Sequence, residues 1–284
     1  MPLFGQQTAH HRYLHQHEGR PAWALVTGAS DGIGLGFVQE LSERGFNVIL
    51  HGRNEAKLKR VRDSLEEEFQ DREFKMFIHD AENELTAEAL HDLAESLQDI
   101  HLTVLINNVG GSGSVQPAWQ PFIQRSSGDI DSYINLNARF PTQLTRALLP
   151  RLIDNAPSLI MNLSSFAALY PAPYVSVYAG AKAFNLAWSA SLKAEMKAEK
   201  IDVDVLGIVI AKAQSATVRA ETGFFTPSSR DMAKAALEEA GCKKRVVTPA
   251  WSHAFQQWIL DLLPESLLEA VLIKAAQAEK RKAN

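Results

Sequence analysis

Tyr178 and Lys182 stand four residues apart in the stretch Tyr178-Ala179-Gly180-Ala181-Lys182. On a helix that spacing puts a phenol and an ammonium on one face, about one turn from each other. A free tyrosine titrates near pH ~10, too high to exchange protons readily at neutrality. A neighbouring cation favours the phenolate, and a shift of about 3 units corresponds to about 4 kcal/mol in a dry pocket. The expectation is that Lys182 lowers the pKa of Tyr178. The result would be an acid/base able to protonate a carbonyl or deprotonate an alcohol.

Such a pair needs a rigid frame, and the first half of the chain alternates strand and helix patterns. The apolar run Trp23-Ala24-Leu25-Val26 reads as a buried strand. It runs into Thr27-Gly28-Ala29-Ser30-Asp31-Gly32-Ile33-Gly34, and a helical pattern follows through Leu35, Val38 and Leu41. Glycines let a backbone approach a phosphate closely, and a helix N-terminus offers unpaired N–H groups to an anion. Gly28, Ser30, Asp31, Gly32, Ile33 and Gly34 are therefore candidate cofactor contacts. A second strand over residues 47–50 ends at His51-Gly52-Arg53-Asn54. In a dinucleotide fold this tip faces the adenosine ribose. An acid there would select NAD, whereas Arg53 suits the 2′-phosphate of NADP. A third strand over residues 74–79 leads to Asp80, whose carboxylate could meet the adenine amino group. A fourth, over residues 101–106, closes on Asn107-Asn108-Val109-Gly110-Gly111, where Asn107 and Asn108 suit hydrogen bonds beside a cofactor. Helical patterns over residues 55–69 and 86–98 separate these strands. The alternation predicts a doubly wound parallel sheet with ligands at the carboxyl ends of its strands.

The second half continues the pattern. A loop over residues 111–127 precedes one long helix over 129–149 that carries Asn135 and Asn137. A fifth strand over 158–163 ends in Ser164-Ser165, and the Tyr178 helix runs on to about residue 199. The sixth strand, over 201–210, is apolar on both faces and includes Val209. Periodicity is lost over 211–230, where Thr222-Gly223-Phe224-Phe225-Thr226-Pro227 reads as a mobile substrate-side lid. A helix over 231–240 has Ser228 or Ser229 as its cap. A short seventh strand over 246–249 precedes one amphipathic stretch over 251–276. That stretch could pack on the domain, form a dimer face or lie on a membrane surface. The domain reading is an N-terminal arm (1–21), a dinucleotide-binding catalytic domain (22–250) and a C-terminal helical extension (251–284).

Composition narrows the class. The chain has 284 residues, is 46% hydrophobic and carries a net charge of -4, so nothing global suggests nucleic acid. Its single cysteine, Cys242, excludes an internal disulfide framework and fits a reducing compartment. No apolar run is long enough for a transmembrane helix, and no signal-peptide core is present. His10, His11, His15 and His17 lack the carboxylates or cysteines of a built metal site. They read as part of a mobile or loosely packed arm, and no metal is expected.

Taken together, Thr27 to Gly34, Arg53, Asp80, Asn107-Asn108-x-Gly110, Asn137, Ser165, Tyr178 and Lys182 occur in the order that resembles the short-chain dehydrogenase/reductase family, over roughly residues 22–210. The family's serine lies thirteen residues before its tyrosine, which selects Ser165, and its helix asparagine maps to Asn137. Trp23 to Gly28, Asn107-Asn108-Val109-Gly110, Pro171-x-Pro173 and Lys182-Ala183-Phe184 are similar to the branch of very-long-chain 3-oxoacyl-CoA reductases and 17β-hydroxysteroid dehydrogenases. The resemblance implies NADP(H)-dependent interconversion of a ketone and a secondary alcohol. Tyr178 would move the proton, and Lys182 would hold the nicotinamide ribose. Ser165 would hydrogen-bond the carbonyl, and Asn137 would hold a water leading from Lys182 to solvent. It also implies a homo-oligomer and a location in the cytoplasm or at the cytosolic face of the endoplasmic reticulum. Lys280-Arg281-Lys282-Ala283-Asn284 has the form of a retrieval signal there. One departure stands out. Where the family has Pro-Gly followed by Val and Thr, covering the nicotinamide amide, this chain reads Ile210-Ala211-Lys212-Ala213. The expected substrate is apolar, such as a fatty acyl chain or a steroid. The alternatives are a non-catalytic NADP-binding sensor or scaffold and a membrane-surface-associated reductase.

Overall fold

A computed structural model of the chain describes residues 9–213 and 223–283. Its strands are β1 (Ala22–Thr27), β2 (Asn47–Gly52), β3 (Phe74–Ile78), β4 (His101–Asn107), β5 (Ser158–Ser165), β6 (Val203–Ile210) and β7 (Val246–Val247). Every pairing is parallel, and the order across the sheet is β3-β2-β1-β4-β5-β6-β7. β1, β2 and β4 are buried along their whole length, which is why they read as unbroken apolar runs. The order in which strands are added reverses between β1 and β4, and a crevice opens at the carboxyl ends there.

Helices cover both faces of the sheet. α1 (Gly32–Glu43), α2 (Glu55–Glu68) and α7 (Ser229–Glu238) enclose a core that includes Phe37, Leu58 and Met232. α3 (Ala87–Ser96), α5 (Phe140–Asp154) and α6 (Ser176–Ala198) enclose the other, which includes Leu93, Leu144 and Leu192. α1 and α7 pack closely because Gly36 presents no side chain, and a Cβ there would lie 2.6 Å from the Ser229 carbonyl oxygen. Arg230 on α7 then reaches Glu40 on α1 at 2.8 Å. Ser228 is the cap of α7, accepting from the Asp231 N–H.

Two expectations are corrected, those for the long helix and the arm, and the C-terminal extension is resolved further. The long helix over 129–149 is instead α4 (Ser127–Ile134) and α5, joined by one wide π turn at Asn135–Arg139. Pro141 has no N–H to give the carbonyl four residues back, so regular α-hydrogen bonding fails at Asn137. The stretch over 251–276 is two helices, α8 (Trp251–Asp261) and α9 (Glu265–Ala283), separated at Pro264. The arm is not loose over its described part. Tyr13 is fully buried and donates to Asp204 on β6, while Thr103 on β4 donates to the Tyr13 carbonyl at 2.8 Å. Arg12 adds an ion pair to Asp202. His15 contacts His101 at 3.2 Å and the Pro157 carbonyl at 3.1 Å. Residues 9–21 thus strap the amino ends of the central strands, opposite the crevice. Among the described residues no cluster has the makings of a metal site, and no helix is long and apolar enough to cross a membrane.

Candidate active site

The glycine turn forms the first wall. Gly28 holds φ +68°, a conformation that disfavours a side chain. Gly34 packs beneath it. A Cβ at Gly34 would lie 2.1 Å from the Gly28 carbonyl oxygen and 2.6 Å from Asn108 Nδ2. The turn is tied to the end of β4 through Thr27, whose hydroxyl accepts from the N–H groups of Asn108 and Val109 at 2.9 Å each. Asn108 Nδ2 returns a bond to the Thr27 carbonyl at 2.8 Å. Asp31 caps α1, accepting from Gly32 N–H at 2.6 Å, and its carboxylate also pairs with Lys57.

The second wall holds the chemistry. β5 ends at Ser165, and the Tyr178 helix α6 passes beside it. The Ser165 hydroxyl accepts from the Ala167 N–H at 3.2 Å and lines the same cavity as the Tyr178 phenol. Lys182 is buried one turn on, with its Nζ donating to the Leu163 carbonyl at 3.0 Å and lying 6.0 Å from the Tyr178 ring centre. Gly110 faces it, and a Cβ there would come within 2.6 Å of Lys182 Nζ. Asn137 is fully buried on the π turn. Its side-chain amide clamps Gly111 from both sides, accepting from the N–H and donating to the carbonyl at 2.9 Å each.

The electrostatics differ from the sequence expectation. Burial raises the Tyr178 pKa above its usual value, the neighbouring Ser165 hydroxyl opposes that, and nearby Tyr133 adds to the rise. Lys182 does not govern the phenol here. Its own pKa is lowered to about 8, because burial disfavours the charged ammonium.

These walls bound a cavity of about 560 Å³ at the carboxyl ends of the strands. Gly28, Ser30, Ile33, Arg53, Asp80, Asn108, Ser165, Tyr178 and Lys182 line it, as their positions in the sequence suggest. Five predicted cofactor contacts do not line it, among them Asp31, which caps α1 and pairs with Lys57, and Asn137 stands behind the wall as well. Asn107 is buried behind the wall, donating to Thr145 at 2.8 Å and Asn162 at 2.7 Å. Val209 is fully buried in β6 beside Ser164, and Ile210 and Ala211 face the cavity instead. Gly32 and Gly34 shape the turn from below. Sequence reasoning missed Glu82, which takes Arg53 at 2.6 Å, Ser114 N–H at 2.8 Å and Ser132 at 2.6 Å. These donors hold its carboxyl below the usual range although burial works the other way. Its only signal was its place two residues past Asp80. Tyr133 was missed too, although it lies one helical turn before Asn137. Of the lid reading, Thr222 lies outside the described residues, whereas Phe224 packs edge-on against Trp251 at 4.6 Å.

A glycine cradle at a helix start, a basic residue at the tip of β2 and a Tyr-Ser-Lys group facing them across one cavity fit a nicotinamide dinucleotide. The chain belongs to the short-chain dehydrogenase family, whose model matches residues 22–221. Its relatives include the very-long-chain 3-oxoacyl-CoA reductase of Neurospora crassa, 31% identical over 253 residues that cover 87% of this chain and 75% of the relative. The enzyme of the same name from Pyricularia oryzae is 33% identical, with the same coverage. The chain thus lies nearest that branch of the family. A 7β-hydroxysteroid dehydrogenase structure matches 94% of this chain and 99% of its own, with a TM-score of 0.77 and 17% identity. A short-chain dehydrogenase from Sphingobium yanoikuyae, solved with NADPH, matches 86% of this chain and 97% of its own, with a TM-score of 0.68 and 21% identity. These structures share the fold.

Proposed function

We propose that this protein is an NADPH-dependent reductase of an apolar ketone, with 3-oxoacyl thioesters of fatty acids as the leading substrate class. The observation that carries this reading is the convergence of Tyr178 and Ser165 in one cavity with Lys182 one turn behind. The nicotinamide would supply the hydride. Ser165 donates a hydrogen bond to the substrate oxygen and stabilises the charge that develops there. Tyr178 gives that oxygen its proton. Lys182 neighbours the ring, and a water held by Asn137 would connect it to solvent so that the proton is replenished. Arg53 supports the choice of NADP, since its guanidinium matches a 2′-phosphate. It rests on Glu82 and, at 3.7 Å, on Asp80, so a phosphate would draw it away from two carboxylates. The acyl class rests on the named relatives. The test is NADPH consumption with 3-oxoacyl-CoA esters of graded chain length and with bulky cyclic ketones. Turnover of cyclic ketones alone would overturn the acyl assignment.

A second reading adds to the first. Trp251, Phe255, Trp258, Ile259 and Leu262 follow a helical spacing, yet this whole stripe of α8 is exposed, Trp251 by 69% and Trp258 by 58%. Two exposed tryptophans on an amphipathic helix suit the headgroup boundary of a lipid surface, and Lys280, Arg281 and Lys282 supply positive charge on the next helix. Co-sedimentation with anionic liposomes, abolished in Trp251→Ser/Trp258→Ser, tests it. Equal binding by that variant would overturn it.

A further inference from the structure

The segment after β6 lacks the proline and threonine that its relatives' pattern carries, yet it lines the cavity next to the catalytic pair. Ser165 is paired with Ile210 across the sheet, so Ala211 emerges beside the serine. Something else must fix this segment, and the structure contains it. His253, the third residue of α8, is fully buried. Its Nδ1 accepts the Ala211 N–H at 3.3 Å, and its Nε2 donates to the Lys212 carbonyl at 3.2 Å. The backbone of Phe225 lies close enough to the ring to oppose the fall in its pKa. The ring lies 6.0 Å from that of Phe166, the residue after Ser165. One imidazole therefore touches the segment after β6, the lid-side loop and the turn that follows the catalytic serine.

We infer that His253 is a positioning residue that fixes residues 211–213 against the nicotinamide end of the cavity, in the role that the missing proline and threonine leave open. The inference rests on the proposed NADPH-dependent reading for its consequence, but not for its geometry. Both contacts form together only with a neutral ring carrying its proton on Nε2. Burial lowers the pKa of this histidine, which keeps that form in place. An asparagine could keep the acceptor near the Nδ1 position but not the donor at Nε2, whereas leucine keeps only bulk.

The experiment compares wild type, His253→Asn and His253→Leu with two ligands, NADPH and adenosine 2′,5′-bisphosphate, by fluorescence titration. The bisphosphate reports the adenosine end alone. His253→Leu is expected to bind NADPH about tenfold more weakly, the loss of roughly one good hydrogen bond, with unchanged bisphosphate affinity. His253→Asn should recover part of it. Equal NADPH affinity in all three proteins would overturn the inference, as would a parallel fall for both ligands. Hydrogen exchange at residues 211–213 gives a cofactor-free readout, with faster exchange of the Ala211 amide in the leucine variant. Unchanged exchange there would also overturn it. If wild type binds no NADPH, the functional reading fails, and the exchange result alone decides the role of His253.

Discussion

Asn185 Nδ2 donates to the backbone carbonyl of Asn137 at 2.9 Å. This is the carbonyl that Pro141 leaves without its regular helical donor. A side chain on α6 thus supports the π turn that presents Asn137, and Asn137 in turn clamps the loop beside Lys182. Asn185→Ala is expected to remove a buried donor and lower stability by about 1–3 kcal/mol in urea unfolding. The same variant should reduce turnover through looser placement of Gly110 and Gly111. Unchanged stability and turnover would show that the turn stands without Asn185.

Tyr178→Phe removes the phenol hydroxyl that shares the cavity with Ser165. Proton transfer by a positioned side chain contributes about 10²–10⁴-fold, so turnover should fall by that range. NADPH affinity, read by fluorescence, should stay within a factor of about two, because the ring and its contacts remain. Full activity in this variant would remove the proposed mechanism.

On the proposed NADPH reading, Arg53 and Glu82 would pull the cofactor preference in opposite directions. Arg53→Ala should weaken NADPH binding by about 10–100-fold, in line with a charge-assisted bond of about 1.5–3 kcal/mol, and leave NADH binding nearly unchanged. Glu82→Gln should strengthen NADPH binding, since it frees the guanidinium from its nearer carboxylate. Titration of both cofactors against both variants reads the result. Equal effects on NADH and NADPH would show that Arg53 does not discriminate.

Acid should weaken the fold through His51. This histidine is buried in β2 and stacked on Phe140 at 4.9 Å, and burial lowers its pKa from 6.5 to about 3. The unfolded chain takes up this proton below pH 6.5, while the folded one does not until about pH 3. Stability is therefore lost as pH falls through that window, by at most about 1.4 kcal/mol per pH unit for one group. His51→Phe keeps an aromatic ring in the stack and should flatten the slope relative to wild type, leaving the shares of His79, His101 and His253. Thermal unfolding of both proteins across that range decides the matter, and parallel curves would contradict it.

The parts of this molecule that the sequence reveals are those set by local pattern. β1, β2 and β4 are buried on both faces, so their apolar runs stand out, and each chemical motif lies at a strand end or one helical turn from its partner. The strap was hidden because Tyr13 is fixed by Asp204 and Thr103, 191 and 90 residues away. The reversed electrostatics were hidden for a similar reason. Spacing shows that Tyr178 and Lys182 share a helix face, but the degree of burial decides which way each pKa moves. Asn107 follows strand pairing into the wall, because alternate residues of a strand point to opposite faces. Glu82 sits in an irregular turn, where spacing carries no rule to find it.

The strap separates two boundaries that are easily taken for one. The family match begins at residue 22, but the packed core extends to at least Tyr13, which closes the far end of the sheet. A fragment cut at the homologous start would leave Asp204 with Lys193, at 3.9 Å, as its nearest cation and would open a hollow the size of a tyrosine beneath β4 and β6. Anyone excising this enzyme by its family limits would be removing part of its hydrophobic core.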